Sequence, residues 1–265
     1  MKPYSNRNTF HLIFVFAGSL FLLFVFAPMA GLMFSTPASK LFQTIQDVQV
    51  SNSIGLTLGM SAIATVFSSI FVVPFAWYMV RLGGRFKHII SGLIDLPMMI
   101  PHAAAGIALL GIVNRESALG RIATEVGIDF VDRPLGIAVA MAFVSVPYLY
   151  NAAYQSFSAI PRRIELAAAN LGATPVTVFR KISLPIAKRG LLNGFVMMFA
   201  RGISEFGAVI IIAYHPFTTP VLIFDRFNAF GLKEAQAVSA LFVIISLAVF
   251  VLIRYLSKPL QDDRN

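Results

Sequence analysis

Two charged side chains stand four residues apart in an otherwise apolar run: Arg201 and Glu205 in ARGISEFGA, residues 200–208. At that spacing on a helix a guanidinium and a carboxylate share one face and can pair. Inside a bilayer each alone costs about 2.5–3.5 kcal/mol on insertion scales, so a partner or a wet cavity is required. The pair either fixes packing as an ion pair or leaves Arg201 to line a path for an anion. A second stretch, DLPMMIPHAAAG at 95–106, sets Asp95 and His102 around Pro97 and Pro101. The prolines remove two backbone donors one turn apart, which predicts a kink or break. A broken helix within a bilayer is tolerated where it packs on protein or lines a cavity. His102 is either a neutral residue packed at that break or part of the path. Asp95, about 10 Å from the inner end of its helix, can reach the interface. Under a proton-driven mechanism Asp95, His102 and Glu205 would be the relay.

These residues need elements to carry them, and the composition says which. Of 265 residues 57% are hydrophobic and 12% charged, against about 25% charged in soluble domains. Leu12–Ser39, Gln49–Val80, Pro134–Pro161 and Ala235–Ile253 carry no charge. His88–Val113 is interrupted only by Asp95, and Gly190–Tyr214 only by Arg201 and Glu205. A bilayer crossing takes roughly 20 apolar residues. The reading is an all-α integral membrane protein of six spans, at about 10–33, 54–80, 88–113, 134–158, 189–213 and 235–254. Lys2 and Arg7 ahead of the first run also suit a signal peptide, but the run is long and no A-x-A site follows, so an uncleaved first helix is expected. There is no cysteine, which excludes disulfides, thiolate metal sites and thiol catalysis.

With the N-terminus inside, fourteen of the 21 basic residues fall in inner segments, six in outer ones, and Arg201 in a span. That asymmetry explains the net charge of +9 without nucleic acid and places both termini in the cytoplasm. It also places the loop 159–188 there.

That loop contains ELAAANLGATPVTVFRKISLP, residues 165–185. Alone, it reads equally as a DNA-binding helix-turn-helix. Pro161 suits the first position of a short helix, and Gly172 its left-handed stop. Ile164, Ala168 and Leu171 form one apolar stripe. Thr174 caps a second short helix starting at Pro175, which Pro185 ends. A DNA reader needs a third helix and a soluble core beneath, and spans on both sides leave no room for one. What remains is a cytoplasmic projection with an alanine-rich face and one carboxylate, Glu165.

The stretch resembles the EAA loop of ABC importer permeases, whose pattern is E-A-A, three residues, Gly, nine residues, I-x-L-P. Ala167, Ala168, Gly172, Ile182, Leu184 and Pro185 match it; Glu165 sits one position early, with Leu166 in the glutamate place. ELAA, and SEFGA with Ser204, resemble the oxyanion branch, and PVLIFDRFNAFGL at 220–232 is similar to its molybdate and tungstate members. The likeness covers about residues 54–257 of a single permease domain. It implies a type I transmembrane domain working beside a second copy of itself in the plasma membrane. It further implies two ATP-binding cassette subunits that grip the loop and hold ATP and Mg, and an extracytoplasmic oxyanion-binding protein. The chain has no G-x-x-x-x-G-K-[ST] phosphate loop of its own, in keeping with a permease that is not itself an enzyme. Arg201, Ser204, Glu205, Pro97, Pro101 and His102 are then the candidate pathway residues. A sulfate permease, a proton-coupled transporter and a membrane-tethered DNA-binding regulator are the competing readings.

Overall fold

A computed structural model describes residues 7–82, 84 and 86–256. Lys2, Arg85, Lys258 and Arg264, which entered the charge asymmetry, lie outside them. The described chain is helical throughout: α1 Arg7–Phe34, α2 Ala38–Gln46, α3 Val48–Arg81, α4 Phe86–Met99, α5 His102–Val113, α6 Ala118–Glu125 and α7 Pro134–Ser158. Then follow α8 Arg162–Asn170, α9 Pro175–Val178, a π turn at Phe179–Ser183, α10 Leu184–Ile203, α11 Gly207–Ile212, α12 Thr219–Phe230 and α13 Leu232–Leu256.

Among these, α1, α3, α7 and α13 are each long and apolar enough to cross a bilayer, and the pair α4–α5 supplies a further broken candidate. Five of the six expected spans correspond to these candidates, with altered ends, and the expected fifth is helical without being one of them. The span expected from 54 begins at Val48, because Asp47 accepts hydrogen bonds from the N–H groups of Gln49 (2.8 Å) and Val50 (3.4 Å) and so caps the helix earlier. The segments between the expected spans contain α2, α6 and α12.

Two expected spans are broken. In the third, α5 turns 110° from α4, and the break falls at Ile100–Pro101; Pro97 stays inside α4, buried. The fifth is expected as one helix over 189–213, but α10 begins at Leu184 and stops at Ile203, and α11 restarts at Gly207. The interruption coincides with Ser204-Glu205, where a polar side chain competes for backbone donors.

The body is built on α3, α7 and α10, which pack on one another. Small polar residues make this possible: Ser53, Thr57, Ser61, Thr65 and Ser68 recur down one buried face of α3. Ser61 Oγ donates to the carbonyl of Phe199 at 2.7 Å, and a Cβ on the facing Gly202 would come within 2.4 Å of that oxygen. Helix α5 packs against α11 around Gly106, where a Cβ would meet the backbone of Ala208 at 2.9 Å. By contrast α1 is almost wholly exposed along its apolar length and touches the body chiefly at α13.

Candidate functional site

The two breaks converge. His102, the first residue of α5, and Arg201, in the last turn of α10, meet at Glu205, just past the end of α10. Arg201 Nη2 lies 2.8 Å from Glu205 Oε2 and 2.8 Å from His102 Nδ1, and that Nδ1 lies 3.0 Å from the same carboxylate oxygen. With a bare Nδ1, His102 accepts from Arg201; carrying a proton there, it donates to Glu205. Glu205 Oε1 accepts the N–H of Ala208 at 2.9 Å, so the carboxylate also closes the first turn of α11. Arg201 Nη1 donates to Ser204 Oγ at 3.2 Å, and Ser204 Oγ donates back to the carbonyl of Arg201. Solvent access is unequal: the side chain of Glu205 is 0% exposed, Arg201 17% and His102 37%. The carboxylate is sealed in, while the two basic groups keep an open edge from which they can donate to an anion.

The expected pairing of Arg201 with Glu205 is thus present, although not on one continuous helix. His102 sits at the break as expected, within hydrogen-bond distance of both Arg201 and Glu205. Asp95 has another neighbour: it accepts from Asn151 Nδ2 at 2.7 Å, which ties α4 to α7. Pro101 precedes α5 and so fixes where His102 enters; Pro97 packs within α4.

At the other end of the body the loop 159–188 forms the expected helix pair, with differences in detail. Pro161 stands just before α8, not at its first position. Gly172 has φ +87°, the left-handed stop expected of it, and Thr174 caps α9 through the N–H of Thr177 at 3.3 Å. Pro185 does not end the second helix. The backbone stays helical from Pro175 to Ile203, and the π turn, in which Leu184 N–H reaches the carbonyl of Phe179, absorbs the proline's missing donor. Ile182 and Leu184 are half-buried at this join and Pro185 is exposed.

The carboxylate on the projection faces inward. Glu165 is buried and makes an ion pair with Arg81, whose Nε donates to Oε2 at 2.8 Å and whose Nη2 contacts Oε1. Ser183 Oγ donates to the same carboxylate at 2.5 Å and Trp77 Nε1 at 3.4 Å. The Arg81 guanidinium lies 4.3 Å over the Trp77 ring. Of the apolar stripe, Ile164 and, just past the end of α8, Leu171 (90%) are exposed and Ala168 is half-buried; Leu166 and Ala167 are exposed beside them. One residue on a helix is a rotation of about 100°. Glutamate one position early therefore points into the protein, and Leu166 takes the outer face. Arg81, Trp77 and Ser183 escaped sequence reasoning; the only advance signal was a lone tryptophan one turn from a basic helix end.

Broken spans meeting at an ionic cluster, with a helical projection clamped at the opposite end, define a membrane transport component. Residues 72–264 match the family described as binding-protein-dependent transport system inner membrane component. The chain is 34% identical over 254 residues to the molybdate/tungstate transport system permease protein of Methanocaldococcus jannaschii, covering 96% of this chain and 97% of that one. It is 27% identical to a probable sulfate transport system permease protein of Zygnema circumcarinatum, over 89% and 84% of the two chains. Among solved structures, a bacterial ABC transporter involved in the import of alginate superposes with a TM-score of 0.75 at 14% identity, over 97% of this chain and 98% of that one, a likeness that carries the fold. The chain belongs to the family of binding-protein-dependent transport system inner membrane components. It is a multi-pass membrane permease subunit.

Proposed function

We propose that this permease forms the path by which a tetrahedral oxyanion, molybdate or tungstate, is imported at the expense of ATP. The carrying observation is Arg201, a guanidinium held at the meeting of two helix breaks with an open edge, in a chain similar to molybdate/tungstate permeases over nearly its whole length. The sulfate permeases are less similar, at 27–33% identity over less of their length. Two copies enclose the path in the plasma membrane. Each offers α8, through its alanines and exposed leucines, to one of two ATP-binding cassette subunits that hold ATP and Mg. An extracytoplasmic oxyanion-binding protein delivers the substrate to the outer face. Both termini are cytoplasmic, and nucleic acid takes no part. In this mechanism closure of the ATPases moves α8 and turns the path outward, and Arg201 exchanges part of its pairing with Glu205 for the anion.

The test is reconstitution in liposomes with the ATPase and the binding protein. Molybdate and tungstate should stimulate ATP hydrolysis and accumulate inside, and sulfate should do so less. Uptake driven by a proton gradient with no ATPase present would overturn the proposal.

A further inference from the structure

The buried carboxylate under α8 has a mechanical consequence. Among the described residues of the loop and of the turn between α3 and α4, Glu165 is the only acid, surrounded by Arg162, Arg163, Arg180 and Lys181, all exposed. Its partner is instead Arg81, at the end of α3, and that choice is built in: Trp77 stacks on the guanidinium, Arg81 Nη1 donates to the carbonyl of Trp77 at 2.7 Å, and Ser183 fills a further acceptor position. The side chains of Arg81 and Glu165 are 18% and 10% exposed, so neither is held in place by water.

We infer that Arg81 and Glu165, with Ser183, are positioning residues that make the projecting helix move as one body with α3. A charge left without its partner in a buried place is strongly unfavourable, so α8 cannot part from α3 cheaply. Helix α3 continues from the clamp to Asp47, and on the way it is bonded to α10 through Ser61 and to the start of α12 through Thr57 and Thr219. A push received by α8 thereby reaches the neighbourhood of Arg201 along α3 as well as through the chain. This rests on the proposed coupling to an ATPase; it adds the residues through which the coupling runs.

The experiment measures molybdate transported per ATP hydrolysed in the reconstituted complex. Ser183→Ala keeps the ion pair and should lower that ratio about threefold, and Glu165→Gln roughly tenfold, the range seen when a coupling network is weakened. ATP hydrolysis and copurification of the ATPase should persist in both. A second arm replaces both charges, Arg81→Cys with Glu165→Cys, in a chain that has no other cysteine. Joining the two thiols with a short bis-thiosulfonate linker should restore the ratio. An unchanged ratio in Ser183→Ala and Glu165→Gln overturns the inference. So does a linker that abolishes transport, because α8 would then have to leave α3. Failure of the underlying proposal looks different: the unmodified complex would itself show no ATP-driven uptake.

Discussion

Glu205 has no contact with solvent, whereas Arg201 and His102 each keep an open edge, and this inequality orders the effects of substitution. Glu205→Ala strands a guanidinium and also the N–H of Ala208, so it should destabilise by about 3–5 kcal/mol, read as a lower melting temperature of the purified protein. Glu205→Gln, which can still accept from Ala208, should lose less. Arg201→Ala leaves Glu205 with His102 and Ala208, and its folding defect should be smaller than that of Glu205→Ala. Combining Arg201→Ala with Glu205→Ala should recover much of the folded yield, short of the share owed to Ala208, but not oxyanion uptake, and a double-mutant cycle on both quantities separates packing from transport. Additive losses in both would show that the two side chains do not interact. The pairing was legible because residues four apart share a helical face. His102 was not legible as the third member, since no periodicity relates positions 99 residues apart. Glu165 carried its own clue: the shift of one position that set it apart from the family pattern is the rotation that buries it.

Helix ends and crossings were the least legible elements. The break in the third span was announced by Pro97 and Pro101, while that in the fifth has no proline or paired glycine at its centre, only Ser204 and Glu205, so the sequence there reads as continuous helix. Gly106 lies where α5 and α11 touch backbone to backbone, and Gly106→Ala should cost about 1–3 kcal/mol by overpacking and move His102 away from Glu205, seen as reduced yield in size-exclusion chromatography. At Gly172 the space is open, so Gly172→Arg strains only the left-handed backbone, by about 1–2 kcal/mol. The permease should remain in the membrane while hydrolysis no longer drives uptake; normal uptake by a well-expressed variant would remove Gly172 from the coupling surface. Ahead of α3, burial pushes the Asp47 carboxyl up, but Arg226 at 2.6 Å and the N–H groups of Gln49 and Val50 outweigh it and hold it below its ordinary 3.8. A depressed carboxyl stabilises fully above its unfolded value and loses that contribution as pH falls through the folded one. Acidification below about pH 4 should therefore loosen the start of α3, and Asp47→Asn should flatten that part of a stability–pH profile.

Across the whole molecule, hydropathy was enough to find the long apolar helices α1, α3, α7 and α13 and the broken pair α4–α5, because the bilayer imposes length. A cysteine introduced at Thr174, which is exposed, should be labelled by an impermeant reagent only after the inner face is opened; labelling from outside intact cells would invert the map. What hydropathy could not give is connection between spans. The helical backbone running from Pro175 through the π turn to Ile203 is on the order of 40 Å long at 1.5 Å per residue. It is a lever arm: a tilt of about 5° at its Pro175 end displaces the other end by about 3–4 Å, comparable to the reach of one hydrogen bond. Its setting is angular as well as linear, because a π turn amounts to one residue added to an α-helix. Deleting that extra residue would close the turn to an ordinary one, whereas deleting one residue from the regular part of α10, between Lys188 and Phe195, would turn everything beyond it by about 100°. Arg201 and Glu205 would rotate together and keep each other, but both would swing out of phase with His102, leaving a permease that retains its buried ion pair and has lost its aim.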